Sequence, residues 1–242
     1  MDKSTAYAII PARYAATRFP GKLMQSLGDK PVIRHTHDNV LATLLFDQVW
    51  VVTDSPVILR EIQDHGGHAK MSLNTHESGS DRIAEAISDM DVDIVVNVQG
   101  DEPFMERQPL ADLLDCFKDP SVQVASLMHR IHAETDLHNP NIVKVVTDTR
   151  GNALYFSRWP IPYNRNESSK PPYFRHIGVY AFRKQTLLAF TQWPMGVLER
   201  HEKLEQLRYL ENGISIRMVE TSFSGIGIDT PGDLDKARAY LG

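Results

Sequence analysis

Over the first hundred positions, short aliphatic runs alternate with stretches whose apolar residues recur at helical spacing. Ala6–Ile10, Gln48–Thr53, Ala69–Ser72 and Ile94–Val98 read as strands, with Val32–Leu45, Pro56–His65 and Asp81–Met90 as helices between them. In the third helix Ile83, Ala84, Ile87 and Met90 share one face. Pro56 behind Asp54-Ser55 marks a helix start, and Gly66-Gly67 ends that helix. This β-α-β-α alternation predicts the α/β class, with a mostly parallel sheet covered on both faces.

The rhythm then changes. After a helix at Gln108–Phe117, the runs Val122–Arg130, Ile142–Asp148, Ala153–Ser157 and Ile177–Phe182 read as strands with fewer helices between them, so the sheet is expected to become mixed. Pro160 to Pro172 carries four of the 14 prolines together with Asn164, Asn166, Ser168 and Ser169, the composition of an irregular excursion suited to a lid or an oligomer contact. Leu198–Asn212 reads as one helix ended by Gly213, Ser215–Glu220 as a strand, and Thr230-Pro231 as the start of the last helix with Thr230 as its N-cap. No internal repeat or linker interrupts the pattern, so residues 1–242 are read as one domain with an excursion around 130–175.

Composition narrows the class. At 42% hydrophobic and 24% charged, the 242 residues suit a globular protein with a substantial core. A net charge of −5 argues against nucleic acid as the main partner but leaves anionic small molecules open, because a local cluster of cations decides their binding. Cys116 is the only cysteine, which excludes an intrachain disulfide; within Leu113–Phe117 it reads as a core residue. No apolar run approaches the ~20 residues that span a bilayer, so no membrane insertion is expected. No basic segment followed by an apolar run opens the chain, and a cytoplasmic protein is expected.

Candidate chemistry concentrates behind strand ends. The loop after Ala6–Ile10 holds Arg13, Arg18 and Lys22 within ten residues; such cations grip polyphosphate, or form a solvated basic loop. Ile94–Val98 runs into Gln99, Asp101 and Glu102, at the carboxyl end of a strand, where ligands bind in open parallel sheets. A carboxylate there holds Mg²⁺, or caps the following helix. Asp229, just before the last helix, is a second candidate ligand or a polar neighbour of the N-cap. Two carboxylates and a divalent ion would together offset phosphate charge.

Other site classes fail. Neither G-x-x-x-x-G-K-[ST] nor G-x-G-x-x-G occurs, and His201-Glu202 lacks a second histidine at zincin spacing. The close pairs His35/His37, His65/His68 and His129/His132 read as solvated helix or strand polarity, not as metal sites. Asp91-Val92-Asp93, an Asp-x-Asp of the kind found in metal-dependent glycosyltransferases, precedes its strand and so lies at the wrong end of the sheet.

The segments Pro11–Lys22, Glu77-Ser78-Gly79-Ser80-Asp81-Arg82, Asn97–Pro103, Asn139–Lys144, Ala153–Pro162, His176–Phe182, Leu204–Arg208 and Gly227–Pro231 together resemble the 3-deoxy-manno-octulosonate (Kdo) cytidylyltransferases, almost end to end and in order. That resemblance implies a three-layer, Rossmann-like nucleotide-diphospho-sugar transferase fold, a homodimer, and Mg²⁺-dependent conversion of CTP and Kdo to CMP-Kdo and diphosphate for lipopolysaccharide biosynthesis. Arg13, Arg18 and Lys22 then become triphosphate ligands, with Lys22 also offsetting charge in the reaction. Asp101 and Asp229 become the Mg²⁺ ligands. Ser78, Gly79 and Arg82 form the cytosine pocket, and Gln99 lies between nucleotide and sugar. Arg158 pairs with the sugar carboxylate, while His176, Tyr180, Glu205 and Gln206 complete the sugar side. The chain departs from the family pattern at Ala16, Phe19 and Leu23, where serine, leucine and proline are usual, and around Trp159-Pro160 and Tyr163–Tyr173. Use of 8-amino-Kdo or of sialic acid stands as the alternative, with a glycosyltransferase behind it.

Overall fold

The computed structural model describes residues 4–15, 19–76, 78–166, 168–225 and 227–241. The chain divides into two compact units, residues 1–110 with 225–242, and residues 111–224.

The first unit opens with β1 (Ala6–Ala12), a short hairpin of β2 (Ser26–Leu27) and β3 (Lys30–Pro31), and α1 (Val32–Ala42). It continues through β4 (Gln48–Thr53), α2 (Pro56–Gln63), β5 (His68–Met71), α3 (Gly79–Ile87) and β6 (Ile94–Asn97) into α4 (Arg107–Asp115). Its sheet runs in the order β6-β1-β4-β5, every pairing parallel, with Ala8 between Val96 and Val49. Ala8, Ile9, Ile10, Val51, Val95 and Val96 are fully buried, as strands covered on both faces require. The chain steps outward from β1 through α1 to β4 and through α2 to β5, then returns through α3 to the other side of β1. Right-handed crossovers put α1 and α2, which pack on each other, on one face and α3 on the opposite face. The reversal leaves a switch point at the carboxyl ends of β1 and β6, where a crevice opens in such sheets.

The second unit contains β7 (Val124–Arg130), α5 (Glu134–His138), β8 (Lys144–Thr147), β9 (Ala153–Ser157), β10 (Phe174–Arg183), α6 (Lys184–Phe190), α7 (Val197–Glu202), α8 (Leu207–Glu211) and β11 (Ile216–Glu220). Here the sheet is mixed, as expected: β11 is parallel to β7, whereas β10 runs antiparallel to β7 and β8, and β8 to β9. The chain then re-enters the first unit and ends in α9 (Pro231–Leu241). Thr230 caps α9 reciprocally: its Oγ1 accepts from the Asp233 amide, and the Asp233 carboxylate accepts from the Thr230 amide.

Three expectations need correction. The helix expected over Leu198–Asn212 is two helices, because Lys203 adopts a left-handed conformation (φ 55°) that ends α7. His35 and His37 are buried, not solvated: His35 bonds the Leu27 carbonyl and His37 the Asp38 carboxylate. Cys116 is only half-buried, its thiol on the Asp112 carbonyl.

Candidate active site

The loop after β1 is closed at its neck, where the Gly21 amide donates to the Tyr14 carbonyl at 3.0 Å. Gly21 has φ 68°, a conformation open to glycine at no steric cost, and it turns the chain so that Lys22 points back over the sheet. Gly100, at the end of β6, has a related reason. A Cβ there would lie 3.0 Å from the Pro11 carbonyl oxygen and 3.1 Å from Ile33 Cδ1. A side chain there would push these neighbours aside by a few tenths of an ångström, and the Gly100 carbonyl accepts from Thr36 Oγ1 at 2.9 Å.

These constraints bring Lys22 to Asp101. Its ammonium bonds Asp101 Oδ2 and, at 2.9 Å, Asp229 Oδ1. Asp229 reaches this place because the amide of fully buried Ile228 donates to the Asp101 carbonyl at 3.0 Å. Burial works to lower the Lys22 pKa, but the two carboxylates outweigh it and the net displacement is upward, so the ammonium form is held firmly. Asp101 and Asp229, separated by 128 positions in sequence, thus share one cation.

A cavity of about 290 Å³ opens beside this cluster, lined by Pro11, Arg13, Lys22, Gly79, Gln99 and Asp101 among others. It collects five of the expected nucleotide-side residues at the switch point. Arg18 and Ala16 lie outside the described residues.

The expected cytosine pocket is only partly present. Ser78 uses its side chain as the N-cap of α3, accepting from the Asp81 amide at 3.1 Å, so its backbone and that of Gly79 are what remain for a base edge. Arg82 does not line the cavity. Only 2% exposed, it donates to Asp54 Oδ2 at 2.9 Å and Ser72 Oγ at 2.6 Å. A buried guanidinium demands such partners, which makes Arg82 a brace between α3 and the end of β4 rather than a base contact. Asp54 also accepts from the Tyr14 amide at 3.2 Å, so the same carboxylate steadies the loop after β1. Gln99 donates to Asn97 Oδ1 at 3.3 Å.

The sugar-side candidates all lie in the second unit, and a bulge sets two of them. In a regular strand, residues four apart lie roughly 13 Å from each other. The pairing of β10 with β7 shifts register between Ile177 and Tyr180, and the His176 and Tyr180 ring centroids are 5.2 Å apart. Ser126 Oγ donates to the Val179 carbonyl at 2.9 Å and meets His176 Nε2 at 2.9 Å, so it accepts from an Nε2–H and the other ring nitrogen is the acceptor. Some of the His176 ring stays accessible, yet the protein around it desolvates it enough to bring its pKa to about 3. Desolvation and the Glu205 carboxylate push the Tyr180 phenol well above its ordinary value. Both groups are therefore neutral hydrogen-bonding side chains. Glu205 is exposed and Gln206 buried, on the turn between α7 and α8. Arg208 braces that turn through a bidentate pair with buried Glu199 at 2.5 and 2.7 Å, its guanidinium 4.3 Å from the Phe190 ring centroid.

The Arg158 nitrogens donate to the carbonyls of Glu202 (2.7 Å), Pro140 (2.9 Å) and Lys203 (3.3 Å), which engages three of its five N–H donors. Sequence reasoning missed Asp54, Lys144 and Glu202, the partners that hold the predicted residues. Asp54 follows a strand, a position that carried a usable signal; Lys144 and Glu202 act through contacts that no local pattern discloses.

Asp91-Val92-Asp93 is structural. Asp93 Oδ2 accepts from the amide and hydroxyl of Thr5 at 2.9 and 3.1 Å, at the amino-terminal edge of the sheet.

A family model described as Cytidylyltransferase matches residues 7–216. The chain is 60% identical over 237 residues to the 3-deoxy-manno-octulosonate cytidylyltransferase of Flavobacterium johnsoniae, covering 97% of each. It is 43% identical to the protein of the same description from Escherichia coli, covering 98% of this chain and 96% of that one. Among solved structures, CMP:2-keto-3-deoxy-manno-octonic acid synthetase in complex with CTP superposes with a TM-score of 0.94 at 43% identity over 98% of both chains. The 4-diphosphocytidyl-2C-methyl-D-erythritol synthase of Anaerococcus prevotii, at 16% identity and a TM-score of 0.68 over 98% of both chains, shares the fold.

Proposed function

This chain belongs to the 3-deoxy-manno-octulosonate cytidylyltransferase family, and we infer from that membership that it transfers the cytidylyl group of CTP to Kdo, releasing diphosphate. The anomeric hydroxyl oxygen of the sugar forms the new bond to the α-phosphorus as the bond to the β-phosphate oxygen breaks. The hydroxyl proton passes to solvent water, and diphosphate carries away the electron pair of the broken bond. Because little covalent work falls to the protein in such a transfer, positioning and charge stabilisation supply the catalysis. The meeting of Lys22, Asp101 and Asp229 at the mouth of a cavity carries this reading. Lys22 offsets charge on the triphosphate and on the leaving group, with Arg13 and Arg18 on the same phosphates. Gln99 and the backbone at Ser78 and Gly79 face the nucleoside, and His176, Tyr180, Glu205 and Gln206 face the sugar.

The donor set fits a magnesium ion as cofactor. Among the described residues no group of three or more histidine, cysteine or acidic side chains gathers, but two carboxylates already converge on one cation, and hard divalent ions take their remaining ligands from water and substrate phosphates. Asp101 and Asp229 would hold it, and when bound it would neutralise triphosphate charge.

The enzyme acts in the cytoplasm, where CTP is made, and supplies activated sugar for lipopolysaccharide; no described helix is long and apolar enough to cross a membrane. It works as a homodimer. Leu154, 62% exposed, lines a largely apolar groove with Val145, Ile161, Pro171 and Phe174, and Trp159 and Tyr163, 76% and 86% exposed, line a second cavity that shares Pro162, Pro171 and Pro172 with it.

Diphosphate release with CTP, UTP and ATP, each against Kdo, 8-amino-Kdo, sialic acid and, as a control, a hexose 1-phosphate, tests the reading. Turnover restricted to CTP with Kdo is expected. Release only with UTP and a hexose 1-phosphate overturns it.

A further inference from the structure

The loop that joins β5 to α3 leads into the nucleoside side of the site, and apolar burial does not hold it. Leu73, the one apolar side chain among residues 73–76, is 85% exposed; Asn74 and Thr75 are exposed and His76 is half-buried. Polar contact must do the holding, and Glu85 of α3 supplies it. Its Oε1 accepts from the Leu73 amide at 2.8 Å, and its Oε2 accepts from the Asn74 amide at 3.1 Å and from Asn74 Nδ2 at 2.6 Å. His76 Nε2 lies 3.2 Å from the same Oε2. Burial works to raise the Glu85 pKa, but the Leu73 amide, the Asn74 side chain and His76 outweigh it and hold the carboxyl below its ordinary value. An ionised carboxylate on two successive backbone amides is a strong and directional clasp.

The same side of α3 is tied to the chain before the loop. Arg82, one turn earlier than Glu85, donates to Ser72 Oγ at 2.6 Å, and Lys70 of β5 donates to the Ala86 carbonyl at 3.0 Å. These ties end at the first turn of α3, where Gly79 lines the cavity and the Ser78 hydroxyl is already spent on the Asp81 amide. The backbone at Ser78 and Gly79 is what remains to meet a base, and a backbone edge is placed only as well as the loop that carries it. Cytosine presents an amino donor at N4 beside an acceptor at N3. Uracil presents the reverse, an acceptor at O4 beside an N3–H donor. A peptide edge that pairs with one pattern opposes the other as long as its carbonyl and amide stay in register, because a mismatch leaves polar groups unpaired.

We propose that Glu85 is a positioning residue that clasps the 73–76 loop and thereby holds the Ser78–Gly79 backbone in register for cytosine against uracil. This rests on the cytidylyltransferase reading above. Loosening the clasp lets that edge shift, and misplacing binding groups by about 1 Å costs as much as 10²-fold.

Steady-state kinetics of Glu85→Gln, Glu85→Ala and Asn74→Ala, with Kdo as acceptor and with CTP and UTP each measured as donor and as competitive inhibitor, tests the clasp. In the Glu85 variants the KM for CTP should rise roughly tenfold, the preference for CTP over UTP should shrink by a similar factor, and the KM for Kdo should stay at its wild-type value. Asn74→Ala, which removes one donor to the clasp, should move the same two quantities in the same direction by less. A wild-type KM for CTP and a wild-type preference in both Glu85 variants overturn the proposal. So does a parallel rise of both KM values with a lowered melting temperature, which marks a general loss of structure. Should neither Glu85 variant fold, Asn74→Ala on the exposed loop decides, and an unchanged preference there overturns the clasp. Wild-type protein that releases no diphosphate with CTP and Kdo would instead overturn the function on which the clasp rests.

Discussion

His176 offers a quantitative test of the second unit. Its ring is desolvated between Ser126, Phe156 and Tyr180, and its pKa falls to about 3. In the unfolded chain the same imidazole titrates near 6.5, so between these values the unfolded chain binds a proton that the folded protein refuses. Stability contributed by the neutral ring is therefore complete above about pH 6.5 and is lost as pH falls toward 3. At pH 5 the loss is about 2 kcal/mol, from 1.36 kcal/mol per unit over the 1.5 units between 6.5 and 5. The accessible part of the ring makes that an upper figure. Urea unfolding of the wild type and of His176→Gln at pH 7.5 and pH 5 measures it: the wild type should lose up to about 2 kcal/mol more than the variant. Equal losses, or a His176 proton resonance titrating near 6.5, would refute the desolvated, neutral histidine.

Other outcomes follow from the remaining clusters. Lys22→Ala should lower turnover by ~10²-fold or more while the fold stays intact, measured by diphosphate release and circular dichroism. Because the carboxylates raise the Lys22 pKa, its stabilising pairs persist through neutral pH and are lost only as pH rises through the elevated folded-state value, which alkaline denaturation of wild type against Lys22→Met will register. Asp229→Asn should demand more Mg²⁺ for half-maximal activity; near-normal activity at limiting Mg²⁺ sinks the two-carboxylate assignment. Arg208→Met leaves Glu199 as a buried unpaired charge and should cost about 3–5 kcal/mol in denaturant unfolding, with part of the loss recovered by adding Glu199→Gln.

Hydrophobic periodicity was sufficient to read most strands and helices of the first unit. A parallel strand buried on both faces writes a continuous aliphatic run, as at Ala6–Ile10 and Ile94–Val98, and polar residues just beyond such a run sit where ligands bind. Lys22, Gln99 and Asp101 were found this way, and Thr230-Pro231 announced the helix that follows Asp229. Local pattern was silent where the decisive interaction links distant backbone. The single helix expected over Leu198–Asn212 has the right apolar spacing, yet it breaks at Lys203, where the exposed carbonyls of Glu202 and Lys203 receive Arg158.

By itself, the sequence determined the class of the fold and the order of its elements, because each of these depends on neighbours within a turn or a strand. Only the tertiary structure decided what the charged residues are free to do. Arg82 and Arg158 looked alike because arginine forks suit anions, but one is buried on Asp54 and Ser72 while the other gives three of its five donors to carbonyls and keeps two. Lys22 looked like one more cation in a basic loop and instead joins two carboxylates from opposite ends of the chain. A buried or half-buried charge must be satisfied by whatever the fold brings near it, and that supply of partners is a property of three-dimensional contact, which local spacing does not encode.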